Sequence, residues 1–149
     1  MKKIMLAIWH QANKGKTETL REFSNQLLNA FPTARIIFPI PLAIPAVGDF
    51  RLVVEINGRI VGIETEGDPN TKLDLRLVDL ADNFHCDVIL CTTRTSGRTV
   101  DAVDHVAGTR GYNVIWTSTY QFDIPAQFSF VNQQKASHIL DLLLNLGAI

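Results

Sequence analysis

Short apolar runs rich in β-branched residues alternate along this chain with longer segments in which apolar residues recur every three or four positions. The short runs predict β-strands and the periodic segments predict helices that cover a parallel sheet on both faces. Six strands are predicted, over residues 3–9, 35–38, 50–56, 59–65, 87–92 and 113–118. Four helices are predicted, over residues 16–30, 73–84, 98–110 and 132–146. The pattern is typical of an α/β fold, a three-layer α/β/α sandwich with a mostly parallel sheet.

Residues 50–65 depart from this alternation, because Asn57 and Gly58 alone separate two strand-like runs. Both central residues of a type I′ turn need a positive φ, which Asn and Gly tolerate best. We therefore predict a β-hairpin that adds one antiparallel strand to the sheet. The segment before it, residues 39–48, contains three prolines that cannot donate backbone hydrogen bonds, and we predict a loop there that covers a site.

Composition narrows the class of protein. A chain of 149 residues that is 46% hydrophobic and 19% charged has the size and polarity of one globular domain, spanning residues 1–149. Its formal net charge of -1 gives no general signature for nucleic acid or an anionic membrane. The apolar run 4–9 is too short for a signal peptide, and no run has the length of a membrane span. We therefore expect a soluble, cytoplasmic protein.

The two cysteines, Cys86 and Cys91, flank the apolar run 87–90. We predict that both lie on one buried strand and, because their spacing is odd, on opposite faces of the sheet. Such thiols form neither a disulfide nor a metal pair, which agrees with a reducing compartment.

Between the first predicted strand and the first helix the chain reads His10-Gln11-Ala12-Asn13-Lys14-Gly15-Lys16-Thr17. This segment resembles the phosphate-binding loop of the P-loop nucleoside triphosphatase superfamily, G-x-x-x-x-G-K-[ST], with His10 at the position of the first glycine. The resemblance implies that backbone N–H groups and the helix N-terminus bind phosphate, that Lys16 reaches the terminal phosphates, and that Thr17 binds Mg²⁺. The residues expected around the phosphates are His10, Asn13, Lys14, Gly15, Lys16, Thr17 and Arg98.

Two other interpretations of this loop stay open. The first glycine normally lets the backbone approach phosphate closely, so His10 narrows or reshapes the site. Gly15, Lys16 and Thr17 also suit an ordinary helix start with a solvated lysine.

A second polar segment, Glu64-Thr65-Glu66-Gly67-Asp68, follows the second strand of the hairpin. It is similar to the D-x-x-G strand end of GTPases, with Glu64 in place of the aspartate. The resemblance implies a Mg²⁺ site formed by Glu64, Glu66 and Thr17, directly or through water, with Glu66 also taking part in catalysis. A polar turn after a strand is the alternative of equal weight.

A third segment, TTRTSGRT at residues 92–99, lies at the end of the strand that is predicted to carry both cysteines. Ligands of open α/β sheets bind beyond the carboxyl ends of the strands, which directs Arg94 and Arg98 toward the same edge as the loop. Arg94 is the candidate cation for charge that develops in phosphoryl transfer. The alternative is a helix cap with solvated arginines. Residues 117–120 end the last strand at this edge and offer a place for a base or ribose.

Together the segments predict a Mg²⁺-dependent nucleotide-binding protein with NTP hydrolase or phosphotransferase chemistry. Its catalytic residues would be Lys16, Glu66 and Arg94, and its cofactors Mg²⁺ and ATP or GTP, since no N-K-x-D motif is present to favour guanine. The alternative is a noncatalytic nucleotide- or anion-binding module that regulates or binds a protein partner. His10 and the missing base motif favour that alternative.

Overall fold

The computed structural model describes residues 2–149 as an α/β fold with a six-stranded mixed sheet and four α-helices. The strands are β1 Lys3–Trp9, β2 Arg35–Phe38, β3 Arg51–Ile56, β4 Arg59–Glu64, β5 Val88–Thr93 and β6 Tyr112–Ser118. The α-helices are α1 Lys16–Ala30, α2 Leu73–Val78, α3 Arg98–Arg110 and α4 Phe128–Asn145. A π-helical segment, Asp79–Asn83, extends α2, and a 3₁₀ turn, Pro125–Gln127, precedes α4.

The strand order is β2-β3-β4-β5-β1-β6. Strand β3 pairs antiparallel with β2 and β4, whereas the pairs from β4 through β5 and β1 to β6 are parallel. The carboxyl ends of β4, β5, β1 and β6 therefore meet at one edge. The hairpin prediction is confirmed, since Asn57 has φ 51 and Gly58 has φ 79, the positive angles of a type I′ turn.

Helices cover both faces of the sheet, each over its own apolar cluster. Side chains of α1 and α4 pack on one face and those of α2 and α3 on the other. Strand β1 supplies Ile4, Leu6 and Ile8 to the first cluster and Met5 and Ala7 to the second. Because successive strand residues point to opposite faces, a central strand between two helical layers is apolar throughout. This arrangement explains the uninterrupted apolar runs of the sequence.

The cysteine prediction was wrong. Strand β5 begins at Val88, so Cys86 precedes the strand, and His85 before it has a positive φ of 55. Cys86 and Cys91 are both buried in the cluster under α2 and α3, because odd spacing separates the faces only within an unbroken strand. Burial raises the pKa of each thiol to about 12, so both stay protonated and act as small apolar groups.

Two helix boundaries also differ from the prediction. Helix α4 begins at Phe128, four residues before the predicted start. The prediction missed this first turn because Phe128 and Phe130 are exposed and the turn has no buried apolar stripe. Helix α2 changes to π-helical geometry at Asp79. Residues 39–48 contain neither helix nor strand, as predicted. Within residues 2–149, no helix combines the length and the apolarity needed to cross a membrane.

Candidate functional site

The loop between β1 and α1 forms the base of a cavity at the carboxyl edge of the sheet. The loop starts where His10 N donates to Thr93 O at the end of β5 (3.2 Å). Gly15 adopts φ 82 before α1, and a Cβ at this position would lie 2.8 Å from Asn132 Oδ1 of α4. The positive φ favours glycine at this position, and the side chain of Asn132 packs into the space that a Cβ would occupy.

Lys16 turns back into this loop. Its side chain is largely buried, and its ammonium donates to His10 O (2.7 Å) and to Gln11 O (3.1 Å), which leaves one of its three N–H groups for another acceptor. Burial lowers the pKa of Lys16, Asp68 opposes this effect, and Arg94 adds to it. The loop thus holds a cation whose hydrogen-bond partners are neutral carbonyl groups.

The cavity beside the loop, here called the β1–α1 cavity, has a volume of about 530 Å³. This volume lies within the usual range of small-molecule sites. The lining residues taken from the predicted phosphate loop are Asn13, Lys14, Gly15, Lys16 and Thr17. The structure thus brings together five of the seven residues that were predicted to surround phosphate.

Asp49 is a residue of this cavity that the sequence reasoning missed. Its Oδ1 atom accepts hydrogen bonds from Thr17 Oγ1 (3.1 Å) and from Thr65 Oγ1 (3.0 Å). Asp49 directly precedes Phe50 and β3, at the end of the proline-rich loop. A Gly-Asp pair at a loop end was the only local signal, and it does not distinguish a site from a turn.

Arg21 of α1, also missed, holds the loop that carries Asp49. Its Nε atom donates to Pro45 O (2.6 Å), its Nη2 atom donates to Gly48 O, and its guanidinium lies 5.5 Å from the ring centre of Phe50. Three contacts on both sides of Asp49 therefore fix the loop to the helix that carries Thr17.

Glu64 and Glu66 do not line the β1–α1 cavity. They lie in a second cavity of about 500 Å³, here called the arginine cavity, together with Arg51, Arg76 and Asp79. Arg51 Nη2 lies 2.7 Å from Glu64 Oε1, and Arg76 Nη2 lies 2.6 Å from Glu66 Oε2. Glu64 is only 1% exposed, and burial raises its pKa while Arg51 and Arg76 oppose that effect. The structure therefore does not place the acidic pair beside Thr17.

The two predicted arginines differ in position. Arg94 Nε lies 2.8 Å from Oδ1 of Asp68, and Asp68 lines the β1–α1 cavity. Arg94 is thus connected to the cavity through its ion-pair partner. Arg98 is exposed at the start of α3 and is not among the lining residues.

His10 shapes the loop without lining the cavity. Its ring stacks on Trp9 with centroids 6.0 Å apart, and its Nδ1 accepts from Gln11 N (2.9 Å). Burial, together with the charges of Lys14 and Lys16, lowers the pKa of His10 and favours the neutral ring. Its contribution to the site is its backbone oxygen, which accepts from Lys16.

Gly67 explains how the segment after β4 reaches the cavity. A Cβ at this position would lie 1.8 Å from the backbone oxygen of Thr92, so the segment packs directly on the end of β5. Thr92 Oγ1 also donates to Thr65 O (2.8 Å). These contacts hold Thr65 and Asp68 at the β1–α1 cavity.

The wall opposite these residues comes from the end of β6 and the start of α4. It contains Tyr120, Gln121, Phe122, Phe128, Val131 and Asn132. The sequence predicted that residues 117–120 would lie at this edge, and Tyr120 does.

Metal binding by the protein alone finds no support in the part of the chain that the structure describes, where no group of three His, Cys, Asp or Glu side chains could hold an ion. Mg²⁺, however, commonly binds through one or two carboxylates together with phosphate oxygens and water. Thr17 and Asp49 supply oxygen ligands of that kind at one cavity, which Asp68 also lines while it is paired with Arg94. The donor set therefore fits Mg²⁺ that arrives with a phosphate ligand.

Comparison with known proteins gave no matching family model, no matching curated protein and no matching solved structure. The function of the chain therefore has to be inferred from the cavity itself.

Proposed function

We propose that this chain binds a nucleoside triphosphate with Mg²⁺ in the β1–α1 cavity and transfers or hydrolyses its terminal phosphoryl group, on a P-loop-like fold. The observation that carries the proposal is the hydrogen bond of 3.1 Å between Thr17 and Asp49. It puts a hydroxyl and a carboxylate in the cavity that the buried Lys16 also lines. Metal donors and a phosphate-binding cation thereby share one cavity.

The charges of the cavity support a metal-dependent site. Its lining contains two lysines and three acidic residues. Two of the acids, Glu18 and Asp68, pair with arginines, whereas Asp49 bonds to hydroxyl groups and keeps its charge. A triphosphate beside the Asp49 carboxylate would be repelled, because like charges a few ångströms apart destabilise each other even at an effective dielectric constant near 20. A divalent cation between this carboxylate and the phosphates converts the repulsion into attraction. We therefore expect tight binding only with Mg²⁺.

We expect separate residues to bind the phosphates and the metal. Lys16 and the loop N–H groups would bind the terminal phosphates, and Thr17 and Asp49 would hold Mg²⁺ directly or through water. Mg²⁺ would neutralise charge on the phosphate oxygens. Arg94, which pairs with Asp68, would stabilise further negative charge at the rim. The metal is assigned to Asp49 instead of Glu64 or Glu66, because arginines already neutralise those two acids.

A noncatalytic binding module is the second candidate. Lys16 uses two of its donors on His10 O and Gln11 O, which favours a cation that organises the loop over one that follows a reacting phosphate. This candidate shares the ligand and the metal with the first. It differs by releasing no phosphate.

The test is Asp49→Asn, which keeps the shape of the side chain and removes its charge. We expect the parent to bind ATP or GTP with Mg²⁺ and to release phosphate. The variant should lose roughly 10- to 100-fold of the Mg²⁺-dependent affinity, the range for a hydrogen bond to a charged group. Its Mg²⁺-free affinity should be unchanged or higher, because a repelling charge is gone. Calorimetry with and without Mg²⁺ and a phosphate-release assay measure these quantities.

Glu66→Gln is the matched control, since it makes the same chemical change in the arginine cavity. It should leave affinity and turnover near the parent values. A parent that binds neither nucleotide with Mg²⁺ overturns the proposal. A parent that binds but releases no phosphate, even with candidate acceptors, selects the noncatalytic module.

A further inference from the structure

We infer that the wall of the β1–α1 cavity formed by Phe122 and Phe128 stacks the base of a purine nucleotide. The inference rests on the proposed function, because it takes the phosphates to lie on the β1–α1 loop. It adds a second subsite that the loop residues do not provide.

The wall is fastened to the loop by side-chain hydrogen bonds. Thr119 Oγ1 donates to Lys14 O (2.7 Å), and Gln121 Nε2 donates to the same oxygen (2.8 Å). Phe122 follows directly and lines the cavity. The distance between the loop and this ring is therefore set by short contacts over neighbouring residues, as a subsite for one connected ligand requires.

The first turn of α4 brings the second ring to the same cavity. Phe128, Val131 and Asn132 are spaced i, i+3 and i+4, so they share one helix face, and all three line the cavity. Asn132 packs closely on Gly15, since its Oδ1 atom lies where a Cβ on that glycine would be only 2.8 Å away. Phe128 is thereby placed one helical turn from the phosphate loop.

Both rings are unusually accessible for phenylalanine. Phe122 is 44% exposed and Phe128 is 48% exposed, and neither belongs to the apolar clusters under the helices. Apolar rings of this size normally contribute to a core. Here both rings line the cavity that the cationic and hydroxyl groups of the loop also line.

The neighbouring Tyr120 also lines the cavity and is 40% exposed, but its ring is held by partners on α4. Its hydroxyl bonds to His138 Nδ1 (2.6 Å), and the Lys135 ammonium lies 4.8 Å from its ring centre. These contacts fix the ring from the side of α4. The amide groups of Gln121 and Asn132 are the polar groups next to the two phenylalanines, and each amide both donates and accepts.

A purine is the occupant that fits this chemistry. Every nucleobase presents a flat π-face that aromatic side chains stack with little regard to sequence, and purines present the largest face. Amides that donate and accept do not select between adenine and guanine edges. We therefore expect ATP and GTP to bind with affinities within about tenfold of each other, both more tightly than the same phosphates without a base.

The experiment compares Mg²⁺-ATP with Mg²⁺-tripolyphosphate, which carries the phosphates but no base. The parent should bind ATP at least about tenfold more tightly. Phe128→Ala and Phe122→Ala should each lower the ATP affinity about tenfold, within the range measured for loss of an aromatic stacking partner, and leave the tripolyphosphate affinity unchanged. Phe128→Leu keeps apolar volume without a ring and should behave like Phe128→Ala, which separates stacking from folding.

Phe130→Ala is the matched control, because Phe130 lies on the same helix, is 55% exposed and does not line the cavity. It should change neither affinity. The stacking site is overturned if the parent binds both ligands equally, or if the folded wall variants lose both affinities together or neither. Failure of both ligands to bind the parent would instead refute the proposed function.

Discussion

The two cavities at the carboxyl edge differ in whether every carboxylate has a cationic partner. In the arginine cavity, the carboxylates of Glu64, Glu66 and Asp79 all pair with guanidinium groups. The β1–α1 cavity also has carboxylates paired with arginines, but there Lys16 bonds to backbone carbonyls and Asp49 bonds to hydroxyls. A charge with neutral partners keeps its net charge and can attract an ionic ligand, whereas a charge with an opposite partner is already neutralised. The partners of a charged residue, more than its presence, therefore separate a binding site from a structural ion pair.

The largest effect expected from this comparison is on stability, in Arg51→Met. Removing the guanidinium leaves the buried Glu64 carboxylate without its closest partner, which costs about 3–5 kcal/mol in buried pairs. Chemical denaturation measures the loss. Affinity for Mg²⁺-ATP should stay within about twofold of the parent under conditions where the variant is folded, because hydrogen bonds of the β1–α1 cavity do not involve Arg51.

Arg35→Met is the control for that variant, since Arg35 pairs with Glu55 in an exposed position. Exposed pairs contribute about 0–1 kcal/mol, so this variant should be almost as stable as the parent. If Arg51→Met were stable but lost its ligand, the arginine cavity would belong to the binding site.

Lys16→Ala should give the opposite result, a loss of affinity with a small change in stability. Removing one charged hydrogen-bond donor should weaken Mg²⁺-ATP binding roughly 10- to 100-fold. The carbonyls of His10 and Gln11 lie in a loop with exposed residues, so water can replace the ammonium at a cost of about 1 kcal/mol or less. Calorimetry measures the expected loss of affinity, and chemical denaturation of the same sample measures the expected small change in stability.

Lys14→Ala is the companion variant, because Lys14 lines the cavity but is exposed. Its effect on affinity should be smaller than that of Lys16→Ala. Equal effects would mean that the cavity attracts phosphate only through its overall charge.

The smallest effect expected is a pH dependence in the arginine cavity. The hydrogen bond from Asn83, together with Arg51, lowers the pKa of Asp79 from 3.8. A carboxyl group with a lowered pKa in the folded state stabilises the fold above pH 3.8, and that contribution is lost as the pH falls through the folded-state value. Asp79 is 37% exposed, so solvent screening limits the contribution to about 1 kcal/mol or less.

Asp79→Asn should therefore be slightly less stable than the parent at neutral pH, and the difference should disappear well below pH 3.8. Arg51 bonds to both Asp79 and Glu64, so the comparison measures Asp79 together with its share of that guanidinium, while the pKa of Glu64 is raised by burial and its own effect has the opposite sign. A difference that is constant with pH would show that the carboxylate charge is not involved.

Local patterns predicted the elements of this fold well because they depend on neighbouring residues. Alternating faces, helical periodicity and the Asn57-Gly58 turn each act over a few positions, and the strand boundaries agree with the prediction to within one residue. The prediction for the cysteines failed because the positive φ of His85 interrupts the strand-like alternation before β5 begins. The predicted start of α4 was wrong because the first turn of the helix lines a cavity and does not pack in the core.

The site was predictable only where it is local. Residues 13–17 form one contiguous segment that ends in the first turn of α1, whereas Asp49 contacts Thr17 across 32 positions and Arg21 contacts Pro45 across 24. No local pattern encodes such contacts. One non-local pair was nevertheless readable, because counting outward from the Asn57-Gly58 turn places Arg51 opposite Glu64. That register predicts an ion pair for Glu64.

The segment from Glu64 to Asp68 contributes side chains to both cavities, and neighbouring residues often line different cavities. Thr65 and Asp68 face the β1–α1 cavity, Glu64 and Glu66 face the arginine cavity, and Gly67 fits against the oxygen of Thr92. The four side chains of this segment can therefore be substituted one at a time, whereas adding or deleting a residue moves them from one cavity to the other. A shift by one position would turn carboxylates toward the wrong cavity and force a side chain into the place of the glycine. Descendants of this protein should keep Gly67 and the spacing of the segment while the other four residue types vary.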